Sequence, residues 1–132
     1  MLFRSTKLAN GSAFINGTVR PLALNETQTA PAISANTLTL DCSTGNIFKV
    51  NLNSNITTLT FSNVPAANAG YGMILSLTAD GTARTVTWGA AVKWPGNTAP
   101  TLTSTSSKVD TFVLMTWDNG TNWYAFTGGQ NA

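Results

Sequence analysis

Apolar and polar residues alternate along much of the chain beyond residue 35. The alternation is clear over residues 38–42, 48–52 and 56–61, and it returns over 71–79. A period of two residues is typical of a β-strand that turns one side towards a core and the other towards solvent. These segments therefore predict strands.

Short clusters of Gly, Pro, Asn, Asp and Ser separate the alternating segments, as turns do. Asp80-Gly81 is a hairpin signal, and it predicts that Thr82–Trp88 returns as a strand beside 71–79. Roughly seven or eight short strands, about 8–12 residues apart, indicate an all-β domain. We predict one antiparallel β-sandwich or jelly-roll-like domain over residues 35–132.

Residues 1–34 differ from the rest of the chain. They have no sustained alternation and no helical period, and they contain several glycines and prolines. They also carry more apolar side chains than a free tail usually has, among them Phe14 and Ile15. We therefore predict an extended N-terminal arm that docks on its own domain or on a neighbour, with Phe14 and Ile15 as candidate contacts.

Residues 109–117 carry large apolar side chains at both parities. If Val113, Met115 and Trp117 fill the core, strand pleating turns Phe112 and Leu114 to the opposite face. Exposed large apolar residues on a strand need a cover. The cover could be the arm, the second sheet or a neighbouring subunit, and we predict that Phe112 and Leu114 contact the arm or a neighbouring subunit.

Composition supports a β fold and suggests association. Thr, Asn and Ser make up 46 of the 132 residues, while charged residues are only 9%. With so few surface charges, a free monomer is poorly protected against association. This favours a homo-oligomer, with a trimer as the best hypothesis. The seven Lys and Arg residues are scattered, so we expect no nucleic-acid partner. No apolar run approaches the length of about 18 residues that suggests a membrane span, so no membrane partner is expected either.

The sequence contains no His and a single cysteine, Cys42. A serine triad is therefore excluded, and Cys42 lacks the His partner of a catalytic thiol. Cys42 shares a strand face with leucines, which predicts a buried thiol. Asp80 and Asp118 lie in turns, where Asp is common for backbone reasons. We expect no enzyme activity, no catalytic or metal-binding residues and no cofactor.

Four tryptophans lie between residues 88 and 123. Trp88 and Trp117 share a face with apolar neighbours and are predicted to be internal. Trp94 precedes Pro95-Gly96 and Trp123 follows a turn, so both are expected nearer the surface. Exposed aromatic rings can stack on sugars, which makes Trp94 and Trp123 candidate glycan contacts, although filling a core or an interface is the commoner use of such rings.

A family resemblance rests on several stretches in the second half of the chain: 60–65 (TFSNVP), 80–88 (DGTARTVTW), 92–96 (VKWPG), 99–103 (APTLT), 108–110 (KVD) and 117–124 (WDNGTNWY). From about Thr58 onward the chain resembles a β-rich module of tailed-bacteriophage virion proteins, including capsid-decorating and tail-fibre-like proteins. The resemblance implies a virion component, usually trimeric, without catalytic or cofactor residues. Nothing in it covers residues 1–34.

Two functions follow from that resemblance. A short β module with an apolar arm suits a capsid decoration or cement protein that binds the major capsid protein and stabilises the assembled capsid. The alternative is a tail-fibre or tail-attachment module, which could recognise host cell-surface glycan. A long fibre would carry repeats or a coiled coil after its attachment segment, and this chain has neither.

Overall fold

A computed structural model describes residues 25–132. This part of the chain contains eight strands, one short 3-10 helix and no α-helix. The strands are β1 (Gln28–Thr29), β2 (Thr37–Asp41), β3 (Ile47–Leu52), β4 (Thr58–Ser62), β5 (Tyr71–Ala79), β6 (Val92–Lys93), β7 (Val109–Thr116) and β8 (Trp123–Gly129), and the 3-10 helix is Pro95–Asn97. The prediction of an all-β protein is confirmed for these residues.

The strands form two sheets. One has six strands in the order β1-β3-β5-β7-β8-β6, and the other pairs β2 with β4. Only the pairings of β5 with β7 and of β7 with β8 are antiparallel, whereas β1–β3, β3–β5, β2–β4 and β6–β8 are parallel. The large sheet is therefore mixed, and the prediction of a wholly antiparallel arrangement is wrong.

Three of the four parallel pairs, β1–β3, β2–β4 and β3–β5, arise because the chain changes sheet at successive strands. β2 lies in the small sheet, β3 in the large one, β4 in the small one and β5 in the large one. Parallel neighbours need a long crossover, and here the strand in the opposite sheet supplies it. The turn at 43–46 therefore makes no hairpin, since β2 and β3 lie in different sheets. The sequence pattern does not reveal this, because a strand alternates with period two whether its partner is parallel or antiparallel.

The predicted hairpin at Asp80-Gly81 does not form. Residues 82–88 contain no strand, and only an isolated parallel bridge joins Val86 to Ile56. The physical reason is that both edges of β5 are already paired, one with β3 and the other with β7. A returning strand has no free edge of β5 on which to pair. β7 and β8, by contrast, form a hairpin around Asp118, which was predicted to lie in a turn.

Both sheets contribute to one apolar core. Its most deeply buried members come from β2, β3, β5, β7 and β8, and they include Leu38, Leu40, Phe48, Val50, Leu52, Met73, Leu75, Leu77, Phe112, Leu114 and Trp123. Cys42 is buried with them, as predicted. Burial of this apolar set is the main stabilising contribution to the fold.

The face assignment predicted for β7 is wrong. Phe112 and Leu114 are 0% exposed, whereas Met115 is 37% and Trp117 52% exposed. The core face of this strand also carries Asp110 and Thr116, two buried polar residues. Those polar positions made the buried face look like the solvated one. Both are satisfied by hydrogen bonds, so their burial is tolerated.

Candidate association surface

The six-stranded sheet has a second face, opposite the core, which we call the outer face. Strand pleating places every second residue of β3, β5, β7 and β8 there. Ile47, Ile74, Val113 and Phe126 are register partners on successive strands, so they form one apolar row across the sheet. The members of this row are half-buried or exposed, so no second layer of the described chain covers it. Contiguous exposed apolar surface on a small protein is a mark of an interaction site.

Three rings at the β7–β8 end of the outer face form what we call the aromatic cluster: Trp117, Tyr124 and Phe126. Trp117 is 52% exposed and stacks on Tyr124 with ring centroids 4.5 Å apart and an interplanar angle of 6°. Phe126 is 44% exposed and lies two residues further along β8 on the same face. Met115 is the register partner of Tyr124 and extends the apolar surface onto β7. The cluster therefore presents flat, rigid apolar surface to solvent, as protein interfaces do.

The residues predicted from sequence as contact points lie elsewhere. Phe112 and Leu114 are wholly inside the core and cannot contact a neighbour. Phe112 packs edge-on against Trp88 and Trp94, with centroid distances of 5.3 and 5.6 Å. Phe14 and Ile15 lie outside the described residues, and their predicted contacts stay predictions.

The surface location predicted for Trp94 and Trp123 is also wrong. Trp123 is 0% exposed and stacks on Phe61 at 4.2 Å, while Trp94 is 8% exposed. Trp94 precedes the Pro95–Asn97 helix and Trp123 follows the turn at 118–121, but both rings pack into the core. Their indole N–H groups find no acceptor within residues 25–132. A ring with no free face cannot stack on a sugar, so neither Trp94 nor Trp123 can be a glycan contact. Trp117 was predicted to be internal, and that prediction is wrong as well, because it is the exposed tryptophan.

The aspartates of the described chain act as turn and loop acceptors. Asp41 accepts hydrogen bonds from the Ser43 hydroxyl at 2.7 Å and from the Asn63 amide at 2.9 Å, and these bonds lower its pKa. Asp118 accepts from the Asn122 backbone at 3.0 Å and its side chain at 2.8 Å, which lowers the pKa of Asp118. Carboxylates held in this way stay ionised and are poor general acids.

The two remaining aspartates are bound in the same manner. Asp80 forms an ion pair with Arg84 at 2.7 Å, and the pKa of Asp80 lies below its ordinary value because of that hydrogen bond. Burial would raise the pKa of Asp110, but hydrogen bonds from Thr103 at 2.7 Å and Asn131 at 3.1 Å outweigh it and lower the pKa. Asp110 thereby joins the chain end and the 98–107 loop to β7.

A polar cleft of about 530 Å³ lies where residues 25–27 pass the 43–46 turn, with Cys42 and Tyr71 in its wall. The Tyr71 hydroxyl donates a hydrogen bond to the Gly45 carbonyl. Burial raises the pKa of both Cys42 and Tyr71. The thiol is therefore protonated at neutral pH, which is the unreactive form.

Within residues 25–132, no three His, Cys, Asp or Glu side chains come together as a metal site would require. The same part of the chain holds no helix of the length and apolarity needed to cross a membrane. Comparison of the chain with protein-family models, with curated proteins and with solved structures found no match in any of the three.

Proposed function

We propose that this protein is a non-enzymatic structural subunit of a bacteriophage virion, and that it decorates and stabilises the assembled capsid as a homo-oligomer, most simply a trimer. In this proposal the two sheets form a β-sandwich whose core side is closed and whose outer face is the side that meets other proteins. The virion assignment comes from the resemblance of residues 58–132. The association part comes from the aromatic cluster.

The exposure of the aromatic cluster is the single observation that carries association. Tyr124 and Phe126 lie on β8, whose backbone is paired with β7, and Trp117 directly follows β7 and stacks on Tyr124. Burying such rings against a second copy gains apolar contact and costs little conformational entropy, since each ring has only two side-chain torsions. We assign the cluster to contact between copies of this chain.

The state of the aspartates supports a structural role over a catalytic one. Asp41, Asp80, Asp110 and Asp118 each accept several hydrogen bonds that hold turns or loops in place. Catalytic carboxylates instead need a perturbed pKa near the working pH and an open path to substrate. The shifts here are all in the opposite direction, which stabilises the ionised form.

The association proposal is tested with the double variant Trp117→Ser/Phe126→Ser. Both side chains are about half exposed, so the variant should keep the circular-dichroism spectrum of the parent. We expect it to sediment at lower mass than the parent, or to lose binding to capsids if the free parent is monomeric. The matched control is Lys49→Ser, which is on the same outer face but on β3, two strands from β7 and three from β8. If the double variant associates like the control, the cluster is not the contact between copies.

The exposed ring of Trp117 also favours a second candidate, the tail-attachment module that recognises cell-surface glycan. Tyr124 covers one face of the indole, and more than half of Trp117 is open to solvent. A sugar ring could stack on the free side. Titration of purified protein with host surface polysaccharide should then change tryptophan fluorescence, and Trp117→Ala should abolish the change. An unchanged spectrum at saturating polysaccharide would reject this candidate.

A further inference from the structure

β8 has one edge that no strand of the described chain covers beyond Tyr124. On this side β8 pairs only with β6, at Trp123 and Tyr124, and β6 is the last strand of the sheet. β6 ends at Lys93 because the chain then turns into the Pro95–Asn97 helix, and a proline has no N–H with which to continue a ladder. Residues 125–129 are therefore paired with β7 along one edge and unpaired along the other, which we call the open edge.

The open edge presents main-chain hydrogen-bonding groups to solvent. The N–H of Trp123 donates to the Ala91 carbonyl at 2.9 Å, so the main-chain groups of Trp123 point away from β7. These groups alternate between the two edges along a strand, and the pairing with β7 is regular from Tyr124 to Thr127. The N–H and carbonyl of Thr127 therefore also point away from β7. Thr127 is exposed and lies beyond the end of β6, so both groups can pair with a further strand.

A groove of about 400 Å³, which we call the β8 groove, lies beside the open edge. Phe126 and Thr127 line it from β8, and Trp94, Pro95 and residues 98–100 line it from the other side. Trp94 is 8% exposed and packs into the core, so this wall is held in place. A strand laid along the open edge turns alternate side chains to the same side, where the groove can take them.

The charge of the site selects its occupant. None of the residues that line the β8 groove is charged, and neither is any of residues 125–129. A charged side chain that entered the groove would lose hydration without meeting a counter-charge, whereas an apolar one would gain free energy from burial. The open edge requires extended backbone, and the groove therefore favours an uncharged segment with apolar side chains at alternate positions.

The walls of the groove favour a single segment over a second copy of this chain. Pairing of β8 with β8 of a second copy across a twofold axis would bring the 94–100 segments of both copies to the same gap, because the contact uses the same surface on each. One extended segment carries no such wall and meets no such obstacle.

We propose that the open edge and the β8 groove bind an extended, uncharged segment of a different polypeptide as an additional strand, with apolar side chains in the groove. Main-chain hydrogen bonds give such strand addition its affinity, and side-chain pockets give it selectivity. The site goes beyond contact between copies and does not depend on the virion assignment. Phe126 belongs to both surfaces, whereas Trp117 belongs to the aromatic cluster alone and Thr127 to the open edge alone.

Amide exchange in the full chain, measured by NMR, tests whether the open edge is free. The Thr127 N–H should exchange with solvent deuterium at least about tenfold faster than the Phe126 N–H, which points towards β7. Slow exchange of Thr127 at every protein concentration would show that the chain itself covers the edge. Slow exchange only at high protein concentration would show that a second copy covers it. Either of these two results overturns the proposal.

Binding is tested with the peptide acetyl-Thr-Leu-Thr-Leu-Thr-amide, which is uncharged and places two leucines on one side of an extended strand. At about 1 mM it should slow the exchange of the Thr127 amide and shift the amide resonances of residues 125–129. The same peptide with Asp in place of both leucines should do neither. No effect of the leucine peptide, or an equal effect of the aspartate peptide, overturns the proposal.

Variants of the protein locate the peptide. Thr127→Pro removes the donor on the open edge, where proline is tolerated, and Ala99→Asp puts a charge into the β8 groove. Each should weaken peptide binding at least about tenfold. The matched control Ala69→Asp is exposed in the loop before β5 and should bind like the parent.

Trp117→Ser separates this site from the contact between copies. It should weaken association between copies and leave peptide binding unchanged, so either proposal can fail without the other. An equal loss of peptide binding in Trp117→Ser would place the peptide on the aromatic cluster and overturn the proposal. If Thr127→Pro does not fold, Ala99→Asp decides alone, and unchanged binding by it rejects the β8 groove.

Discussion

Phe112 and Phe126 provide a matched test of which face of the large sheet is the core. They have the same side chain and lie on paired strands, but Phe112 is 0% exposed and Phe126 is 44% exposed. Truncating a fully buried Phe to Ala costs about 3–5 kcal/mol, through lost transfer free energy and the cavity that remains. Phe112 also loses its edge-on contacts with Trp88 and Trp94. We expect about 4 kcal/mol for Phe112→Ala.

Phe126→Ala should cost much less. Nearly half of the ring is already in solvent, and full burial of a Phe side chain is worth only about 1.5–3 kcal/mol, so we expect a loss of about 1 kcal/mol. The difference of about 3 kcal/mol between the two variants is larger than the usual error of such comparisons. It follows from position alone, because the chemical change is identical.

Urea unfolding, followed by tryptophan fluorescence and by circular dichroism at low protein concentration, measures both values. With a slope of about 1–3 kcal/mol per molar urea, the two midpoints should differ by about 1–3 M. Phe112→Ala should have the lower midpoint. Equal losses, or a larger loss for Phe126→Ala, would refute the assignment of the core face and restore Phe112 as a surface residue.

Three further outcomes are expected from single sites. The pKa of Asp110 is lowered in the folded state, so its contribution to stability is present above about pH 4, the ordinary Asp value, and is lost as pH falls below it. Asp110→Asn should cost about 2 kcal/mol at pH 7 and make the loss of stability below about pH 4 shallower in pH-dependent urea unfolding. Gly45 has a positive φ of 151°, and a Cβ there would collide with the Thr27 carbonyl, so Gly45→Ala should destabilise by about 1–3 kcal/mol, while Gly70→Ala, with open space around it, should be nearly neutral in the same assay. Cys42 is buried with a raised pKa, so a thiol reagent at pH 7.5 should modify it at least about tenfold more slowly in native protein than in urea; equal rates would show that the thiol is open.

Strand positions were largely predictable from sequence, because side chains alternate with a period of two whether the neighbouring strand is parallel or antiparallel. Residues 38–42, 48–52 and 71–79 alternate in the sequence and form β2, β3 and β5 to within one or two residues. Pairing was not predictable in the same way. The turn at 43–46 shows that the chain reverses, but not whether the next strand stays in the same sheet.

The candidate site was missed because Val113, Met115 and Trp117 were taken to be the core residues of β7. On β7 the core face includes Asp110 and Thr116, and their hydrogen-bond partners lie far away in sequence or across a turn. Sequence patterns do not show those partners, so the buried face looked polar. One signal was available: Phe112 and Leu114 are flanked by Asp110 and Thr116 at the same parity, which is what a core strand with polar ends looks like.

The most direct test of the proposed function is the copy number of this protein in purified virus particles. Quantitative mass spectrometry on phage or prophage particles from the culture whose genome encodes the chain would give its ratio to the major capsid protein. A decoration protein should be present at a ratio of the same order as the capsid subunit and should remain bound through gradient purification. A ratio of a few copies per particle would favour the tail-attachment alternative, and absence from the particles would contradict the virion proposal altogether.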